Sequence, residues 1–133
     1  MTTTYRPQPL ARAWQAVVEG RLDPHIALGD FLDDWRRAPS TDRALLIVDP
    51  IPDSADPTVH RWGAFAAALV EHLTRTEGLP TPPWAFDERW VLPEPWFMLG
   101  RGALWAWQMV ATPPAWKRRR IFGGDETMLI GRV

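Results

Sequence analysis

Cysteine is absent from the 133 residues, which excludes a disulfide framework, a thiol nucleophile, a thiolate zinc site and an iron–sulfur cluster. Asparagine is absent too, lysine occurs once (Lys117) against fourteen arginines, and glutamine occurs only as Gln8, Gln15 and Gln108. Depletion of thermolabile side chains beside fourteen prolines is the pattern of a heat-adapted protein, and the arginine excess also fits a high-GC bacterial coding bias. Net charge is nearly nil, -1 at neutral pH, so the chain has no overall field to gather nucleic acid or a membrane surface. No apolar run approaches the roughly 18 residues of a membrane span, and the N-terminus lacks the basic-then-apolar layout of a signal peptide. The expected location is the cytoplasm. The glycines form neither a phosphate-binding loop nor a dinucleotide fingerprint.

What is present suffices for one domain. Hydrophobic residues make up 46% and charged residues 23%, and a chain of this length hides roughly two-thirds of its unfolded surface on folding. Apolar periodicity predicts helices near 10–19, 24–37, 57–77 and 102–111. Asp23-Pro24 and Asp56-Pro57 each place a capping carboxylate before a proline suited to the first helical position, and Gly20, Pro39 and Gly78 supply stops. In the second helix Leu28, Phe31, Leu32 and Trp35 form an apolar stripe, opposite a solvated face of Asp30, Asp33 and Asp34. In the long third helix Val59, Trp62, Ala66, Leu69, Val70 and Leu73 form the stripe, and Glu71 with Arg75 is a supporting pair four residues apart. Trp35, Trp62, Leu69 and Leu73 are therefore expected to be buried. Residues 44–48 read as a short helix after a Ser40-Thr41-Asp42 cap, with a buried strand as the alternative. Five prolines between 79 and 97 exclude regular helix there, and Trp84, Phe86, Trp90 and Trp96 within that stretch predict a loop lying against the core. Leu104, Trp105, Trp107, Met109 and Val110 spread around a whole helical circumference, which predicts a helix that is central or faces a partner. A short segment at 115–120 and a short strand at 127–130 complete the pattern. The expected fold is mainly α, a single-domain helical bundle with a long Pro/Trp-rich loop and a short C-terminal β element.

Residues suited to catalysis are few. His60 and His72 share the long helix, but twelve residues separate them by about 18 Å along its axis, too far for one metal. Asp30 and Asp34 stand four apart and suit a hard cation, yet calcium sites want six or more oxygens, and a solvated face with an Asp33 to Arg37 pair explains them better. The only serines, Ser40 and Ser54, lie in Pro/Asp-rich turns without the strand-turn-helix setting of a nucleophile elbow. The sequence thus points away from an enzyme, with no catalytic residue, metal or cofactor assigned.

Charge is distributed unevenly. Residues 1–88 carry -5 and residues 89–133 carry +4. Lys117, Arg118, Arg119 and Arg120 place four cations in one turn between Trp116 and Phe122, a patch suited to phosphates or to an acidic protein surface. Together with Trp84, Trp90 and Trp96 of the loop, Trp116 and this run make the candidate partner-binding residues.

The segments RWGAFAAALVEHLTRTEGLPTPPW, PWF, ATPPAWKRRRIF and the closing Leu-x-x-Arg-Val resemble an uncharacterised family of high-GC bacterial proteins. Trp116-Lys117 stands where many members have Phe-Arg. In many of those proteins the region follows an Xre-type helix-turn-helix domain, and the resemblance implies a regulator or antitoxin. Residues 1–43 are too short for the usual five-helix Xre domain, so DNA recognition is not carried over. The resemblance therefore implies an interaction protein that binds a protein encoded nearby. A nucleic-acid-binding accessory protein acting through residues 117–120 is the second reading, and a metal-dependent hydrolase using Asp30, Asp34 and a histidine is the third.

Overall fold

The computed structural model describes residues 8–100, 102 and 104–124. The chain gathers into two compact units, Met1–Ser54 and Ala55–Val133, where the sequence suggested one. Their boundary falls in the stretch holding Pro50, Pro52 and Pro57. Six α-helices and one two-strand pairing make up the regular structure among the described residues, so the fold is mainly α as expected. No helix among these residues is long and apolar enough to cross a membrane.

In the first unit, α1 (Leu10–Val18) and α2 (Pro24–Arg37) each bury one apolar face. Leu10, Ala13, Trp14 and Val17 are buried from α1, and Ala27, Leu28, Phe31, Leu32 and Trp35 from α2. Gly20, at φ +78°, supplies the left-handed residue after α1. Asp23 caps α2 by accepting the His25 N–H at 2.8 Å. Asp34 departs from the expected wet face: it is buried and accepts the Gln8 N–H at 3.2 Å, because a backbone donor replaces the water it gives up. Of residues 44–48, expected as a short helix, only Ala44–Leu46 are helical, as a 3-10 turn, and the helical segment begins earlier. α3 (Ser40–Arg43) passes into a 3-10 turn at Ala44–Leu46, and the proposed cap residues lie inside the helix. Arg43 donates to the Trp35 carbonyl at 2.8 Å, tying α3 to the end of α2.

The second unit is built on α4 (Pro57–Glu77), capped by Asp56 and ended by Gly78 at φ +70°. Gly63 to Glu71 are buried without a break. Nine consecutive residues go round a helix more than twice, so α4 is enclosed on every side instead of along one stripe. Its small residues allow this. At Gly63 a Cβ would stand 2.6 Å from the Trp90 ring, so only glycine lets that indole lie on the helix backbone. Leu69 is fully buried as expected, whereas Trp62 and Leu73 are half-buried at the edge of the core.

After α4 the proline-rich stretch makes two 3-10 turns, Pro83–Phe86 and Glu88–Trp90. It then runs alongside the C-terminal segment. The Leu92 N–H donates to the Arg119 carbonyl at 3.1 Å, Trp96 to Arg120 at 2.9 Å and Met98 to Phe122 at 2.9 Å. Within this run β1 (Trp96–Phe97) pairs in parallel with β2 (Ile121–Phe122), and the crossover between them carries α5 (Trp105–Ala111) and α6 (Pro114–Lys117). A short β element is thus present at Ile121–Phe122, where the sequence reading placed none. The strand anticipated at 127–130 lies outside the described residues.

Candidate functional site

α5 has the sequence WAWQMVA, with one polar side chain. That side chain is the one that is buried. Gln108 Oε1 accepts the Leu99 N–H at 3.0 Å, and its Nε2 donates to the Gly100 carbonyl at 2.7 Å. One turn on, the Thr112 hydroxyl donates to the Gln108 carbonyl at 2.5 Å and accepts the N–H groups of Gly123 and Gly124 at 3.1 and 3.0 Å. A hydroxyl has one proton and two lone pairs, so all of its bonding capacity is used. Two polar anchors therefore fasten the helix, and its apolar side chains are left on the outside.

Val110 is 78% exposed, Leu104 50%, Trp105 46% and Trp107 44%, with Met109 and Leu99 also exposed. Of the two placements expected for this helix, central or facing a partner, the exposure overturns the central one. Trp107 is partly held, since a Cβ on Gly124 would collide with its ring, and Trp105 lies 6.3 Å from the Phe97 ring. Six large apolar side chains within residues 99–110 are thus exposed, more than the few single apolar residues ordinarily left on a protein surface. Scattered single apolar residues would need no explanation.

The tryptophans singled out in the sequence mostly serve the core. Trp90 and Trp116 are buried, and Trp84 and Trp96 are half-buried. Trp90 stacks on His60 at 5.4 Å, while Trp116 packs against Phe65 at 5.5 Å and His72 at 5.1 Å. Trp96 meets the Trp62 ring edge-on at 5.2 Å and carries the Arg61 guanidinium 4.8 Å from its ring centre. The two α4 histidines thus act as aromatic packing surfaces, and the described residues contain no group of three side chains able to hold a metal.

The four consecutive cations do not form one patch. Lys117 donates to the Val110 carbonyl at 3.1 Å, satisfying one of the open carbonyls at the end of α5. Arg118 reaches Glu71 at 3.3 Å. Arg119 is 2% exposed and inside the domain. Arg120 adopts φ +64° and donates to the Pro93 carbonyl at 2.9 Å. Such a backbone angle costs a non-glycine residue about 1 kcal/mol, and the turn it makes delivers the chain into β2.

Arg119 serves Glu71, which is fully buried on α4. The guanidinium donates to Glu71 Oε1 at 2.7 Å, to the Ala115 carbonyl at 2.7 Å and to the Ala85 carbonyl. Burial pulls its pKa below the ordinary arginine value, against the opposing pull of the Glu71 hydrogen bond and charge. The other carboxylate oxygen is approached by Arg75 and Arg118, both at 3.3 Å. The Glu71 to Arg75 pair expected from the sequence is therefore present as one part of a larger cluster.

Comparison with family models, with curated proteins and with solved structures finds no match to this chain.

Two features escaped the sequence reading. Gln108 was visible as the lone polar residue in an apolar helix, which is itself a signal that the polar side faces inward. The burial of Arg119 between two exposed cations has no local signature, because its partner lies 48 residues away.

Proposed function

We propose that this chain is a small interaction protein that acts by binding another protein through α5, without catalysis of its own. The observation that carries the reading is the inverted helix: Gln108 buried, with Leu104, Trp105, Trp107, Met109 and Val110 exposed. A helix fastened by polar anchors keeps its apolar face available and already ordered, so a partner that covers it loses little to ordering. Aromatic residues and methionine are enriched at the centres of protein interfaces. The partner fitted to this face carries an apolar surface rimmed by acidic groups, since residues 89–133 bear +4 and the ammonium of Lys117, from α6, reaches the last turn of α5. A regulatory, antitoxin-like role with a product encoded nearby is the finer reading, supported by the sequence resemblance.

Co-expression with the neighbouring gene's product tests the proposal. The parent chain should co-purify with it, and Val110→Glu or Trp105→Glu should abolish co-purification while leaving the circular dichroism spectrum unchanged. Retention of the partner by both variants would remove α5 from the interface.

A further inference from the structure

The cluster at Glu71 contains more positive charge than it uses. One carboxylate faces three guanidiniums, those of Arg75, Arg118 and Arg119. Arg119 is buried and uses both terminal nitrogens, with bonds to Glu71, Ala85 and Ala115. For Arg75 and Arg118 neither holds. Each touches the same oxygen at 3.3 Å, Arg75 through Nε and Arg118 through one terminal nitrogen. Neither makes another side-chain polar contact among the described residues, so both terminal nitrogens of Arg75 and two of the three nitrogens of Arg118 keep their donors. Their side chains are 60% and 42% exposed.

Because both approach one oxygen, the two guanidiniums are held near each other, separated by at most roughly twice the distance each keeps from it. Like charges that close repel, and one carboxylate already shared with Arg119 offsets only part of this. Beside them lies a cleft of about 260 Å³ whose lining includes Glu71, His72, Arg75, Thr76, Pro114 and Ala115. The arrangement is a buried anion faced by two partly exposed cations, a local surplus of two positive charges, and one of the two, Arg75, lines the cleft.

We infer that Arg75 and Arg118 form a binding site for a phosphate-class dianion. Two negative charges match the surplus, which a simple carboxylate would only halve. Guanidiniums present paired N–H donors whose spacing matches phosphate oxygens. The site draws on one member of the basic run, Arg118, and on a residue of α4 distant from that run in sequence. It is independent of the α5 face.

Isothermal titration with sodium phosphate against sodium chloride at equal ionic strength tests this on the full chain. Phosphate should bind and raise the thermal midpoint where chloride does not. Arg75→Gln and Arg118→Gln should each weaken binding at least tenfold, and Arg75→Lys, which keeps the charge but loses the fork, should fall between. Each glutamine variant tests the site separately, so one that failed to fold would leave the other to decide. Equal responses to phosphate and chloride in the parent would overturn the inference, as would phosphate affinity unchanged in the glutamine variants. A single-stranded oligonucleotide that binds through the same arginines while inorganic phosphate does not would overturn it too, and would assign the cations to a phosphodiester backbone.

Discussion

Glu71 Oε1 and the Arg119 guanidinium meet at 2.7 Å with neither residue more than 2% exposed. Through this pair α4 is joined to the Ala85 carbonyl of the 3-10 turn at Pro83–Phe86 and to the Ala115 carbonyl of α6. Removing one member strands the other in a low-dielectric interior. Arg119→Met should therefore destabilise the protein by about 3 kcal/mol, near the lower end for broken buried pairs because Arg75 and Arg118 still face Glu71. The double variant Glu71→Leu with Arg119→Met should recover much of that loss in urea unfolding. A double variant as unstable as the sum of its parts would show that the pair is not coupled.

Trp90 and Trp62 offer a contrast in burial. Trp90, inserted over Gly63, should cost on the order of 3 to 5 kcal/mol when changed to alanine. Trp62 is half-buried, and Trp62→Ala should cost less. Gly63→Ala should destabilise in spite of alanine's better helix propensity, because its methyl group meets the indole. Denaturant midpoints of the three variants check the order.

Gln108 reverses the usual sign of a polar-to-apolar change. Gln108→Leu leaves the Leu99 N–H and the Gly100 carbonyl without their partner, and should cost about 1 to 3 kcal/mol. Val110→Glu, on the exposed side of the same helix, should change stability by no more than about 0.5 kcal/mol. Thermal unfolding of the two variants separates an anchored helix from one held by apolar contacts.

Heat adaptation is expected from the absence of asparagine and cysteine and from the fourteen prolines. Calorimetry should give a midpoint above about 70 °C, beyond the range common to mesophile domains. A midpoint near 50 °C would reduce the composition to coding bias.

The elements that could be read from the sequence are those defined by local chemistry. Asp23 and Asp56 cap α2 and α4 as their Asp-Pro pairs indicate, and Gly78 closes α4 in the left-handed conformation. The roles of α4 and α5 were harder, because periodicity reports the arrangement of apolar residues and not what surrounds them. α4 has small residues that permit packing on every side, so its stripe understates its burial. α5 is apolar almost throughout, so its composition suggests enclosure. Only the long-range bonds of Gln108 and Thr112 reveal which side is covered. Likewise the run at 117–120 looks uniform until each cation is followed to its own partner, one of them 48 residues away.

That long separation bears on the order in which the chain becomes stable during synthesis. Glu71 leaves the ribosome well before Arg119 does, and until then the centre of α4 carries a carboxylate whose only nearby cation in sequence is Arg75. Burying α4 at that stage would desolvate an anion without its closest counter-charge, which is strongly unfavourable. The parallel strand pairing also awaits Ile121 and Phe122. The second unit is thus committed to folding after residues 119–122 have been made, and a nascent or truncated chain ending before residue 119 exposes the Ala-rich helix to proteases and chaperones.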